Sequence, residues 1–310
     1  MGVALGSGSA RGWSHIGVIK ALQRAGIAPA VVSGTSVGAV VGAAYAAGKL
    51  EGFERWVRKL TRRKILAYLD VGLVTGGFIE GRRLAQVFLD NFGDVGFDEL
   101  ELPFAAVATE LYSGQERWLR SGSVVEALRA SVALPGLFTP AKVHGDLLVD
   151  GGLVNPVPVS LCYAMGAEVV IGVNLNGDLV GRHIRHQRSQ TAEPPEPPDD
   201  VADEPTDDTW AGMLDRLSDG LKSRASDFVA QFRQGEKLPG MFDVMATSLN
   251  IMQDRITRSR MAGDPPDVVL SPRLSHIALL EFDRAGEAIA EGEACVERML
   301  PALRYAAGLE

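Results

Sequence analysis

Twice within its first 48 residues the chain runs from a short apolar strand, through a glycine-rich turn, into a helical pattern; no other feature narrows the fold as far. Gly2–Leu5 reads as a buried strand. The turn Gly6-Ser7-Gly8-Ser9-Ala10-Arg11-Gly12 follows. Residues 13–25 then carry Ile16, Ile19, Ala21, Leu22 and Ala25 at helical spacing, with Gly26 placed to stop the helix. The second unit has a strand at 30–32 and the turn Ser33-Gly34-Thr35-Ser36-Val37-Gly38. A small-residue helix over 37–47 follows, with Gly48 as its stop. Strand, helix, strand, helix at this spacing predicts an α/β fold with a parallel sheet.

Downstream the pattern continues less regularly. Residues 54–92 read as helical and amphipathic, broken around 72–77. Strands are predicted at 104–109 and 117–119, and a helix at Val124–Ser131. A hairpin over 141–149 turns at His144-Gly145-Asp146, and Asp150-Gly151-Gly152 comes directly after it. A helix at 159–165 leads to an apolar strand at 168–174. Five prolines and a run of acids make packed structure unexpected over 177–209, so a mobile loop is predicted there. Helices are expected at 210–233 and 241–261, joined by Gly-Glu-Lys-Leu-Pro-Gly. A strand at 267–270 and a long helix at 283–306 close the chain, with Asp283 as candidate N-cap. The expected organisation is a catalytic core over 1–176, the Pro/acid-rich loop over 177–209, and a helical part over 210–310 closing the same domain.

Composition excludes several classes. Apolar residues make up 46% and charged residues 23%, ordinary for a soluble globular chain. Two cysteines, Cys162 and Cys295, are too few for a disulfide framework or a thiolate metal site. No signal peptide and no apolar run of membrane-spanning length is visible, which predicts a cytoplasmic protein. The net charge of -8 belongs to one tract: residues 193–208 hold eight of the 39 acids, and without them 31 acids face 31 bases. No basic surplus points to a nucleic-acid partner.

Gly34-Thr35-Ser36-Val37-Gly38 fits G-x-S-x-G. In that motif a serine sits on a sharp strand-to-helix turn, its hydroxyl projects from the sheet edge, and the flanking glycines avoid Cβ clashes. The helix behind it favours developing negative charge at the serine. This makes Ser36 a candidate nucleophile, with Gly34 and Gly38 supporting it. The competing reading is a tight turn with a serine N-cap, which does not explain both glycines.

The turn over 6–12 offers successive backbone N–H groups as an anion cradle. A dinucleotide site would need an acid about 20 residues on. The first carboxylate in the chain is Glu51, and the spacing is G-x-G-x-x-x-G. An oxyanion hole, or a seat for an anionic lipid headgroup, suits this carboxylate-free lobe better.

Taken together, these motifs and their order resemble the patatin-like phospholipases, most of all bacterial members similar to the catalytic domain of neuropathy target esterase. The residues that carry the likeness are the 6–12 turn with His15-Ile16-Gly17-Val18, the Ser36 turn, Arg129-Ala130-Ser131, Pro135-Gly136, and Asp150-Gly151-Gly152 with Asn155-Pro156. The resemblance implies a three-layer α/β/α patatin-like fold with a mostly parallel central sheet. It also implies a serine hydrolase cleaving acyl esters (phospholipase A, lysophospholipase or carboxylesterase type) through a Ser–Asp dyad and a covalent acyl-enzyme, without metal or other cofactor. Ser36 matches the nucleophile and Asp150 the general base. Gly6, Ser7, Gly8 and Ser9 match the oxyanion hole; Arg11, Gly12, Gly151 and Gly152 match supporting positions. Asp150 is assigned by resemblance alone, since an aspartate before two glycines is common in turns. Many members carry glycine where this chain has Ser7 and Ser9, which leaves open which amides donate. A non-catalytic lipid-binding or regulatory protein on the same fold is the alternative.

His15, beside the first turn, is the best candidate for a triad histidine, although packing there is the preferred reading. His183 and His186 lack metal-ligand partners nearby. The basic amphipathic stretch 55–69 could seat on an anionic membrane, but a lid helix with a solvated face is preferred. The expected partner is thus an acyl-lipid or other ester substrate, with peripheral contact to the inner face of an anionic membrane left open.

Overall fold

The computed structural model describes residues 1–68, 81–178 and 241–309. Two compact units are distinguished, Met1–Ile184 with Leu249–Glu310, and Arg185–Ser248. Of the second unit, the described residues 241–248 are helical. The predicted break at 72–77, nearly all of the predicted loop at 177–209, the helix at 210–233 and the turn after it lie outside the described residues.

The first unit opens with β1 (Gly2–Leu5), a 3-10 turn over Ser9–Trp13 and α1 (Ser14–Arg24), then β2 (Val31–Thr35) and α2 (Val37–Ala46). The expected 54–92 run is divided into α3 (Leu50–Val57), α4 (Arg62–Tyr68) and α5 (Arg82–Phe92). Next come β3 (Phe104–Glu110), β4 (Glu116–Leu119), α6 (Val124–Ser131), β5 (Ala141–Val143), β6 (Asp146–Asp150), α7 (Val159–Ala164) and β7 (Val170–Val173). Helix α8 (Met241–Gly263), β8 (Val268–Leu270) and α9 (Ala285–Ala306) follow. Helix α9 starts after a 3-10 turn at Phe282–Arg284, and Asp283 is not its N-cap. The Asp283 carboxylate instead accepts from Arg62 Nε at 3.1 Å, which draws it away from the helix end.

The eight strands of the described residues form one sheet. Hydrogen-bonded neighbours run β5–β6–β3–β2–β1–β7–β8, with β4 also on β3. The β1–β2, β1–β7, β2–β3 and β7–β8 pairings are parallel; β3–β4, β3–β6 and β5–β6 are antiparallel. The two-residue periodicity of strands sends alternate side chains to opposite faces. Val3, Leu5, Phe104, Ala106, Ile171 and Val173 pack into the large core with residues of α1, α2 and α9. Ala4 and Val170 face the other way, against Val159 and Cys162 of α7 and Met261 of α8. Ala105 and Val107 likewise meet Leu161 of α7. Helices therefore cover both faces, and the fold is the three-layer α/β/α arrangement with a mostly parallel sheet.

Register along β3 builds the site. Strand β2 pairs with β3 as far as Thr35 opposite Val107. Strand β6 takes up the pairing one residue on, with Asp150 opposite Ala108. Strand β4 spans Ala106–Thr109, so it fills one edge and leaves β2 and β6 to share the other. The residue after β2 and the last residue of β6 are thus delivered to the same spot from opposite chain directions.

Candidate active site

Ser36 occupies the step from β2 to α2, with φ 58 and ψ −128. A left-handed φ on a serine costs about 1–3 kcal/mol and persists only where the surroundings enforce it. Here they do. The Ser36 amide donates to Ser131 Oγ at 2.9 Å, and the Ser131 hydroxyl donates in turn to the Val107 carbonyl at 2.7 Å. The Ser36 carbonyl accepts from Ala39 N at 2.9 Å as α2 begins. A Cβ on Gly34 would lie 2.5 Å from Ala39 Cα, and one on Gly38 would run into the Leu5 carbonyl. Both glycines of G-x-S-x-G are therefore demanded by close approach. Ser36 stands at the N-cap position of α2, but its side chain makes no capping bond. The plainer N-cap reading fails, because the hydroxyl is directed elsewhere.

That direction is Asp150. Ser36 Oγ donates to Asp150 Oδ2 at 2.6 Å, and both residues are buried. The carboxylate is fixed on every side. Its Oδ1 accepts from Gly152 N at 2.7 Å, its backbone carbonyl accepts from Thr109 Oγ1 at 2.8 Å, and its amide donates to the Ala133 carbonyl at 3.0 Å. A Cβ on Gly151 would strike the Val107 carbonyl and one on Gly152 would strike the Gln253 side chain, so the two glycines let the turn pass under β3 and α8. Burial raises the Asp150 pKa to about 6, against the hydrogen bonds from Ser36 and Gly152, which act to lower it. A carboxyl poised near 6 is mostly ionised at neutral pH and remains a usable acid once protonated.

The first glycine turn packs on the second: a Cβ on Gly12 would lie 2.6 Å from Val37 Cγ1. Its four expected donors do not behave alike. Gly6 N donates to the Val173 carbonyl at 3.1 Å and Ser7 N to the Pro156 carbonyl at 2.8 Å. These two amides are committed to holding the turn on the sheet. Among the described residues the amides of Gly8 and Ser9 have no acceptor, and Ser9 holds φ 52. Of the four expected donors, Gly8 and Ser9 are the ones whose amides are left uncommitted among the described residues. Arg11 is buried, its pKa lowered to about 10 by that burial, and its Nε donates to the Gly8 carbonyl at 3.2 Å.

His15 is fully buried, with Nε2 2.8 Å from the Gly6 carbonyl. A carbonyl only accepts, so Nε2 carries the proton and spends it on Gly6, while the Ser36 hydroxyl is bonded to Asp150. Burial pulls this imidazole down to about 4, leaving it neutral. It braces the first turn and is no base for Ser36. His276 forms an exposed pair with Glu287, and His144 sits in the hairpin turn with φ 51; His183 and His186 lie outside the described residues. The described residues hold no cluster of three or more His, Cys, Asp and Glu suited to a metal ion. Cys162 is buried against the Ser33 hydroxyl at 3.1 Å, and burial pushes its thiol up to about 11. In the basic stretch 55–69, Val57 and Leu60 are buried in the core with Trp56 and Ile65 packed against it, while Arg55, Lys59 and Arg63 are exposed. No helix among the described residues is long and apolar enough to cross a membrane.

Sequence reasoning gave no role to Ser131, Thr109 or Gln253. Ser131 belongs to the quoted Arg129-Ala130-Ser131 run, but only the tertiary fold brings its hydroxyl under the Ser36 amide, 95 residues away.

The patatin-like phospholipase family model matches residues 3–163. An uncharacterised NTE family protein of Mycobacterium tuberculosis is 33% identical over 97% of this chain and 91% of its own length. The neuropathy target esterase sws of Drosophila melanogaster is 32% identical over 56% of this chain, which corresponds to 13% of the fly protein. The crystal structure of VipD from Legionella pneumophila covers 97% of this chain and 66% of that one, with TM-score 0.47 and 14% identity.

Proposed function

We propose, from the premise that the chain belongs to the patatin-like phospholipase family, that it hydrolyses acyl esters of lipids or of related carboxylic acids through a Ser36–Asp150 dyad and a covalent acyl-enzyme. The observation that carries the dyad is the 2.6 Å hydrogen bond from Ser36 Oγ to Asp150 Oδ2, made by a serine whose backbone is held in a left-handed conformation to present it.

The reaction runs in two halves. Ser36 Oγ attacks the ester carbonyl carbon and its proton passes to Asp150 Oδ2. The carbonyl oxygen, now an anion, is taken up by the amides of Gly8 and Ser9, which have no acceptor to give up among the described residues. Asp150 returns the proton to the departing alcohol oxygen, the tetrahedral intermediate collapses, and the acyl group stays on Ser36. Water then loses a proton to Asp150 and attacks the acyl carbon. Collapse of the second intermediate releases the carboxylic acid, with the proton back on Ser36 Oγ. Substrates of the phospholipase A, lysophospholipase and simple carboxylesterase kinds all share this chemistry. Contact with an anionic membrane would be electrostatic, through exposed cations such as Arg55, Lys59 and Arg63, because Val57 and Leu60 of that stretch are buried in the core.

Active-site labelling with a fluorophosphonate, alongside p-nitrophenyl ester turnover, tests the reading. Wild type should label at Ser36 and turn over, whereas Ser36→Ala should do neither and Asp150→Asn should be severely slowed. A chain that binds lipid but is never labelled at Ser36 is a binding protein on this fold, and the proposal fails.

A further inference from the structure

The two serines that stand where many family members have glycine both reach the C-terminal part of the chain. Ser7 Oγ donates to Gln253 Oε1 at 3.1 Å, and Ser9 Oγ donates to the Leu279 carbonyl at 2.6 Å. Gln253 is buried, on the same helical face as Asn250, three residues before it in α8. Asn250 Oδ1 accepts from Arg11 Nη2 at 3.0 Å, while Arg11 Nε holds the Gly8 carbonyl. The uncommitted amides of Gly8 and Ser9 therefore lie between anchors on Ser7 and Arg11, both fastened to α8. Gln253 also reaches the other half of the site: its Nε2 and Asp150 Oδ1 flank the point where Gly152 lacks a Cβ. A second donor, Asn176 Nδ2, shares Gln253 Oε1 at 3.1 Å and fixes the amide plane.

We propose that Gln253 is a positioning residue, fastening the oxyanion turn through Ser7 and abutting the Asp150 turn through Gly152, so that α8 sets the aim of the Gly8 and Ser9 amides at the acyl oxygen. This rests on the hydrolase reading above and adds to it a structural part from outside residues 3–163, which the family model matches. The hydroxyl of Ser7 does here what a bare glycine could not: it exchanges backbone freedom for a tether 246 residues away in sequence. The energetic logic is preorganisation. Amides aimed beforehand stabilise the oxyanion without reorganising during the reaction.

The test uses the full chain in a two-by-two set, Ser7→Gly, Gln253→Leu, the double variant and wild type, with Gln253→Glu as the conservative replacement. Turnover of p-nitrophenyl butyrate gives kcat and KM across pH, and fluorophosphonate gives the rate of labelling at Ser36. Each single variant should lose about tenfold in kcat and in labelling rate, less than the loss of an oxyanion donor outright, with KM within about twofold. The double variant should be no worse than the worse single, because both break one contact. Gln253→Glu keeps an acceptor for Ser7 and Asn176, so it should recover most of kcat. It should also move the acid limb of the pH profile upward, since a second carboxylate then stands by Asp150. Singles within about twofold of wild type, or losses that simply add in the double variant, overturn the tether. Should Gln253→Leu fail to fold, Ser7→Gly and Gln253→Glu decide: unchanged kcat in the first, or an unmoved acid limb in the second, overturns it. A wild-type chain that neither labels nor turns over takes down the parent reading, a result distinct from active wild type with indifferent variants.

Discussion

Asp150→Asn exchanges the buried carboxyl for an amide of nearly the same shape, and its effects on stability and activity should run in opposite directions. Burial holds Asp150 at about 6 in the folded chain, against 3.8 for an ordinary aspartate. The folded state thus binds this proton more tightly than the unfolded state does. The resulting penalty is absent below the unfolded value, grows as pH rises from about 4 toward 6, and is complete above it. At about 1.4 kcal/mol for each tenfold difference in proton affinity, the ionised group costs the fold about 3 kcal/mol at neutral pH. Asparagine bears no charge and keeps an oxygen to accept from Gly152 N. The variant should therefore be more stable than wild type by about 3 kcal/mol near pH 7.5, with no advantage near pH 4. Paired thermal melts across that range should separate by roughly 6–12 °C at the upper end and converge at the lower. Ester turnover should fall about 10²–10⁴-fold, the usual worth of a positioned base. A separation that stays flat with pH, or an asparagine variant less stable near pH 7.5, would refute the claim that this carboxylate is ionised at the expense of the fold.

Other expectations follow from the same geometry. In wild type, kcat/KM should rise with pH to a half-maximum near 6, and the limb should vanish in any residual activity of Asp150→Asn; His15, held near 4, supplies no second limb. Ser131→Ala leaves the buried Ser36 amide without an acceptor and should cost about 1–3 kcal/mol in equilibrium unfolding, together with a clear drop in kcat as the strained turn relaxes. Unchanged kcat there would mean that the turn is held by other contacts. Ser36→Gly should abolish labelling yet raise stability by about 1 kcal/mol, since glycine adopts this φ without a Cβ penalty. Gly38→Ala drives a methyl into the Leu5 carbonyl and should destabilise by about 1–3 kcal/mol while impairing turnover; a well-folded, fully active variant would contradict the close approach of β1 and α2.

The units that sequence made legible are those whose signals are local. The expected bounds of Gly2–Leu5 and Val124–Ser131 are the observed ones, because apolar runs bounded by turn residues settle such elements within their own span. The close approaches at Gly34 and Gly38 were likewise implied by G-x-S-x-G. Asp150 was not readable in this way; its meaning comes from pairing in β6 against β3, and only resemblance pointed to it. The division of labour in the first turn is also hidden, since which amides are spent depends on the carbonyls of Val173 and Pro156, far along the chain. The Asp283 cap failed for the same kind of reason: Arg62, distant in sequence, competes for the carboxylate. Ser131 and Gln253 bear on the site through single side chains brought in by the tertiary fold, and no periodicity marks them.

The shared edge of β3 has a consequence for how such a chain can vary. Because strand side chains alternate, sliding β6 by one residue along β3 would turn the carboxyl to the opposite face and disarm the molecule without unfolding it. Parity at that junction is therefore under strict constraint, while the connection between Glu110 and Asp146 bonds the Ser36 and Asp150 backbones through Ser131 and Ala133. Insertions at the tip of the β3–β4 turn, where Tyr112 is 82% exposed, leave that parity untouched. A lineage built on this plan can lengthen or recompose that exposed turn freely, provided it never miscounts the strand beneath.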